Sequence, residues 1–85
     1  PYLEEGKGVI LIYPSLTRES ICIESYSENL SNKEMKIYNS AGGMVLHATL
    51  LSNNSKIDIS GLSQGIYFVE ISGNGFRETH KIVKY

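Results

Sequence analysis

The sequence predicts an all-β domain, an antiparallel sandwich of about seven strands. Three observations predict it. Seven short runs, most of them alternating apolar and polar with a period of two, are separated by turn-forming clusters about every 8–12 residues. No segment sustains helical periodicity. Gly73-Asn74-Gly75 contains Asn-Gly, the strongest short hairpin signal. A small closed barrel is the runner-up architecture.

Residues 1–7 are polar and read as a linker, leaving 8–85 as the domain. Gly8 to Tyr13 is the first strand, apolar on both faces, with Val9 to Tyr13 expected to be buried and Pro14 ending it. Ser15 to Glu19 reads as a loop. Ser20 to Glu24 alternates, placing Ile21 and Ile23 on one face and Cys22 opposite as a small apolar filler. The polar run Ser25 to Lys33 reads as a surface connection. Glu34 to Tyr38 and Met44 to Leu50 form a hairpin around Asn39-Ser40-Ala41-Gly42-Gly43, whose glycines supply positive φ. In its second arm Met44, Leu46, Ala48 and Leu50 are expected to face the core, with Val45, His47 and Thr49 outward. Leu51 to Ser55 turns again, Ile57 to Ile59 is a short strand, and Phe76 to Tyr85 runs back antiparallel to Ile66–Ile71.

Ile66 to Ile71 is the clearest strand, with Tyr67, Val69 and Ile71 on one face and Phe68 and Glu70 on the other. The preceding Leu62…Gly65-x-Tyr67 resembles the corner of immunoglobulin-like sandwiches, where a tyrosine hydroxyl returns to the backbone of the loop before it. Gly65 suits a sharp turn in which a Cβ is expected to be obstructed. The sandwich is therefore expected to be immunoglobulin-like. An ordinary buried tyrosine beside a turn glycine is the competing reading of this corner, and Gly61, Leu62, Gly65 and Tyr67 also read as residues needed only for folding.

Eighty-five residues form one domain with one modest core. A net charge of −1 gives no field that would attract nucleic acid or an anionic membrane. No apolar run approaches the ~20 residues that a membrane-spanning helix needs. The single cysteine, Cys22, excludes an intramolecular disulfide. The start at Pro1, without Met or signal peptide, reads as a fragment or processed product.

Catalytic candidates are few. His47 and His80 lie on different strands, with no acidic neighbour at ligand spacing, and read as surface residues. Cys22 with a histidine has no Gly-rich elbow or helix N-terminus to activate it. Asp58 reads as flanking a turn. Asn29-Leu30-Ser31 and Asn53-Asn54-Ser55 match the N-glycosylation pattern by composition of Asn/Ser-rich loops. The reading is of a non-enzyme with no cofactor and no metal, acting through its surface and strand edges.

Four segments in order carry a family resemblance. Ile12-Tyr13-Pro14-Ser15-Leu16-Thr17 stands where the family has a Val-Tyr-Pro-Asn-Pro-like segment. Met35 to Leu46 is similar to its strand, Ser-x-Gly turn and strand. Ile57-Asp58-Ile59-Ser60-Gly61-Leu62-Ser63-Gln64-Gly65-Ile66-Tyr67-Phe68-Val69 resembles its Ile-Asp-Ile-Ser-x-Leu-x-x-Gly-x-Tyr signature. His80-Lys81-Ile82-Val83-Lys84-Tyr85 resembles its short basic, β-branched ending. Departures are Ser15-Leu16 in place of Asn-Pro and Gly43 in place of a polar residue. From about Val9 to Tyr85 the chain resembles a C-terminal sorting domain of the type IX (Por) secretion system of Bacteroidota, of type A.

The resemblance implies a non-catalytic address on a larger cargo protein. Its partners would be that upstream cargo and the sorting machinery of the outer membrane. Its location would be the periplasm in transit, then the cell surface or exterior. Recognition is expected to centre on the Ile66–Tyr85 hairpin, with Gly65, Tyr67, Lys81, Ile82, Val83, Lys84 and Tyr85 as candidates and an open sheet edge for a receptor strand. Lys81 and Lys84 have a second reading, as solvated edge charges that discourage aggregation. The alternative from another class is an immunoglobulin-like accessory or adhesive module that binds glycan through Tyr13, Tyr26 and Tyr38 or packs on a neighbouring domain.

Overall fold

A computed structural model describes residues 10–26 and 28–85. The expected linker at 1–7 and the start of the first strand at Gly8 and Val9 lie outside the described residues. Among the described residues eight strands form two sheets, and the domain is an all-β sandwich. They are β1 (Ile10–Tyr13), β2 (Leu16–Thr17), β3 (Ser20–Ser25), β4 (Glu34–Asn39), β5 (Met44–Thr49), β6 (Asn54–Asp58), β7 (Gly65–Gly73) and β8 (Phe76–Lys84). One sheet has the order β1-β3-β6, the other β2-β8-β7-β4-β5, and every pairing is antiparallel except β2 with β8. The two orders match the A-B-E and G-F-C-C′ layers of an immunoglobulin sandwich.

The alternation read in the sequence sets what each sheet buries. Ile10, Ile12, Ile21 and Ile23 point in from the three-stranded sheet. Met35, Ile37, Tyr67, Val69, Ile71 and Ile82 meet them from the five-stranded sheet in one core cluster. Because register is fixed wherever one face is buried, slipping any of these strands by one residue would turn its apolar set to water. The β7–β8 turn behaves as Asn-Gly demands. Asn74 has φ 52° and Gly75 φ 80°, the paired positive values of a type I′ hairpin.

Five expectations need correction. Ser15–Glu19 is not simply a loop. After Tyr13 the chain leaves the three-stranded sheet, and Leu16–Thr17 pairs parallel with Val83–Lys84 before Ser20 returns to the first sheet. A two-residue strand has no period to read, so the sequence could not mark it. The first strand is not buried on both faces, since Leu11 is exposed and Tyr13 half-buried on the outer side. Cys22 lies on that same outer side, in register with Tyr13 and Lys56, and fills no core space.

Met44 faces out, not in. A bulge between Ile37 and Tyr38 puts Met44 opposite Tyr38, while Leu46 and Ala48 keep their inward parity. The run 25–33 is more than a surface connection, because Leu30 is fully buried and Lys33 nearly so. Leu30 accepts the N–H of Lys33 (3.0 Å) and gives its own to Asn53 Oδ1 (2.7 Å). Lys33 Nζ meets Glu28 at 3.2 Å and stands over the Phe76 ring. In addition, β6 starts at Asn54 and ends at Asp58, earlier at both ends than the expected Ile57–Ile59.

Candidate functional site

The loop between β6 and β7 is fastened to the end of the C-terminal hairpin through two adjacent carbonyls. Tyr67 Oη donates to Ser63 O at 2.7 Å, and Lys84 Nζ donates to Leu62 O at 3.0 Å. Tyr67 and Lys84 come from neighbouring strands and are both buried. Leu62 packs on the core beneath them, and its N–H closes a turn onto Ile59 O. The tyrosine corner expected from Gly65-x-Tyr67 is therefore present, and Lys84 reinforces it. Of the two sequence-based readings of Lys84, one is a recognition residue and the other a solvated edge charge. Burial and a carbonyl acceptor overturn the solvated-charge reading.

Gly65 is required for a different reason from the one expected. Nothing lies within 4 Å of where its Cβ would be, but its φ of +150° is one that L residues rarely adopt. The Tyr67→Phe variant is expected to lose about 1 kcal/mol, the usual net value of a hydrogen bond. For a domain of this size that is a fall in Tm of about 4–8 °C, read by thermal unfolding.

The tail itself is built in. Val83 N–H donates to Ser15 O (2.7 Å) and Tyr85 N–H to Thr17 O (3.0 Å), so β2 occupies the outer edge of β8 over its last residues. The Arg18 guanidinium stands 4.8 Å above the Tyr85 ring, and Thr17 Oγ1 ties its own segment down through Ser20 O. The expected open edge is thus closed at Val83–Tyr85. Among the described residues, no strand pairs with the outer edge of β8 from Arg77 to Lys81. Of the seven residues singled out, Ile82 belongs to the core, and Tyr67 and Lys84 hold the loop. Val83 is half-buried, and Gly65, Lys81 and Tyr85 reach solvent. Leu16 and Arg18 join them from β2 and its flank. Only pairing across nearly the whole chain reveals these two.

Both histidines have acidic partners that the sequence reading did not assign. His47 Nε2 lies 2.5 Å from Glu34 Oε1 across β4 and β5, and His80 Nε2 lies 2.7 Å from Glu78 Oε1 on β8. The hydrogen bond from His47, aided by Thr49, holds the Glu34 carboxyl below its ordinary value. Asp58 flanks a turn as expected. It accepts the Ser60 N–H at 2.9 Å, which lowers its pKa. Tyr13 donates to Glu24 at 2.5 Å, and that hydrogen bond pushes its pKa up to about 12.

These are pairs and turns, not a catalytic constellation. Among the described residues no group of three or more His, Cys, Asp or Glu is placed to hold a metal. No helix among them is long and apolar enough to cross a membrane. Tyr13 lies on the outer face of the three-stranded sheet and Tyr38 on that of the five-stranded sheet, so those two tyrosines share no platform.

Comparison with known proteins adds two findings. The family model described as "Secretion system C-terminal sorting domain" matches residues 11–85. Beta-agarase A of Zobellia galactanivorans is 43% identical to the chain over 37 residues, which is 44% of the chain and 7% of the agarase. The chain thus matches a small part of that much longer protein.

Proposed function

The chain belongs to the C-terminal sorting domain family of type IX secretion systems, and from that premise we propose that it directs a larger cargo protein across the outer membrane without catalysing any reaction. The family match over 11–85 carries this reading. It spans both sheets and every element that fastens the tail, so the unit to be read is the folded sandwich and not a short linear tag. The cargo is an upstream domain of the same polypeptide, the partners are sorting proteins of the outer membrane, and the destination is the cell surface or the exterior. Recognition centres on the β7–β8 hairpin and the residues packed along it, with Lys81 and Tyr85 reaching solvent there.

The test is a fusion of the whole chain behind a periplasmic reporter, in a host that owns the machinery and in the same host with the outer-membrane step removed. The expected result is reporter outside the first host and periplasmic in the second. Reporter that stays periplasmic in both, with the fusion folded, would overturn the proposal.

A further inference from the structure

We propose that one end of the outer face of the five-stranded sheet is the docking surface for the machinery, and that it takes a protein segment presenting apolar side chains flanked by carboxylates. The proposal rests on the sorting reading above and names the partner chemistry of that same site.

The strand register sorts this face into rows. Leu16, Val83 and Ile66 lie side by side across β2, β8 and β7. Lys81, Phe68, Tyr38 and Met44 form the next row, across β8, β7, β4 and β5. Beyond them the same face turns ionic, with Glu70, Lys36 and His47 in the third row and Arg77 and Glu34 in the fourth. The apolar end is open to water: Leu16 is 58% exposed, Met44 55%, Ile66 42% and Phe68 36%. Single exposed apolar residues are ordinary, whereas adjoining ones form a patch of the kind that interaction surfaces use.

Charge and size select the occupant. Neither Lys81 nor Arg18 makes an ion pair with a described residue. Glu70, the carboxylate bordering the patch, is engaged by Arg77 at 2.7 Å and by the Tyr38 hydroxyl at 3.4 Å. Among the described residues the apolar end is therefore rimmed by cations without matching anions, which suits a partner carrying carboxylates. A second copy fits poorly, because an isologous contact offers each cation only the same patch, whose bordering carboxylate Glu70 is already engaged. Two rows about 7 Å apart on strands about 4.8 Å apart cover roughly 300 Å². A stable dimer needs about 800 Å² a side. A small, charged-rim contact suits a signal that is read and released.

The experiment uses the whole chain fused to an exported cargo in a host with the machinery. Ile66→Ser with Phe68→Ser is expected to lower export about tenfold, and Lys81→Glu by several-fold, while Lys36→Glu on the ionic half leaves it unchanged. Thermal unfolding of each purified fusion checks that the domain still folds, and Lys81→Glu stands as the variant least able to disturb the core. A photo-crosslinking phenylalanine at position 68 is expected to capture a segment of a sorting protein with Asp or Glu beside apolar residues. Replacing that acid by Lys is expected to restore export of Lys81→Glu. Crosslinks to a second copy or to the fusion's own cargo would overturn the proposal, as would normal export of the folded variants. Retention of the unvaried fusion would instead overturn the sorting reading, and this proposal with it.

Discussion

Truncation after Lys81 is expected to unfold the domain rather than trim it. The lost residues include Ile82, 1% exposed in the centre of the core. Cutting a buried isoleucine to alanine alone costs about 2–5 kcal/mol. The truncation also removes the Lys84 bond to Leu62 O and both backbone bonds that hold β2. Against a total stability of about 5–15 kcal/mol, toward the low end for so small a domain, little folded protein remains. The measurement is a denaturant titration followed by near-ultraviolet circular dichroism. A cooperative transition that survives the truncation would contradict the expectation. For comparison, Tyr85→Ala is expected to lose only the Arg18 contact, about 0.5–1 kcal/mol. The consequence for function is practical: a tail deletion that blocks export reports lost folding and lost recognition together, whereas substitutions on the outer face separate them.

Leu30→Ala is expected to cost about 2–5 kcal/mol although it sits in a run of polar residues. The side chain is fully buried, and the segment around it is pinned by Asn32 N–H to Leu50 O (2.9 Å) and Leu50 N–H to Lys33 O (2.8 Å). These bonds leave it little freedom to collapse into the vacated space. Ser31→Ala, one residue on and exposed, is expected to stay within about 0.5 kcal/mol. Equal midpoints for the two variants in urea would show that the Leu30 side chain adds nothing to the core.

What could be read in advance follows from how local its cause is. The β7–β8 hairpin was legible because its turn needs two residues of positive φ and the sequence offers Asn74-Gly75. Tyr67 was legible because a glycine, a tyrosine and a strand pattern lie within a few positions. The sheets' inner faces followed from alternation at Ile21 and Ile23, Met35 and Ile37, Val69 and Ile71. The remainder depends on partners far along the chain. Leu16 becomes a strand residue only because Val83 lies beside it, and Met44 turns outward only because β5 carries an extra residue, Val45, against β4. Lys84 reads as a surface charge until the loop carbonyl of Leu62 is placed above it. Leu30 is a single apolar residue with no repeat to announce it. The same holds for the candidate surface: Lys81 was visible as part of a basic ending, but the rows that set it beside Phe68 and Tyr38, and Leu16 beside Val83, exist only once five strands are in register.

The parallel contact between β2 and β8 also sets an order of assembly. The β7–β8 hairpin turns through two residues and can zip within about 1–10 μs. Leu16 and Val83, by contrast, stand almost at opposite ends of the chain, and contacts of such separation form slowly, on the scale of milliseconds to seconds in β domains. The short strand therefore docks late. In the interval the rim of β8 carries unsatisfied amide and carbonyl groups that any passing strand could capture. A newly made copy is at its most vulnerable to wrong partners in that interval, before Leu16 and Thr17 close over Val83 and Lys84.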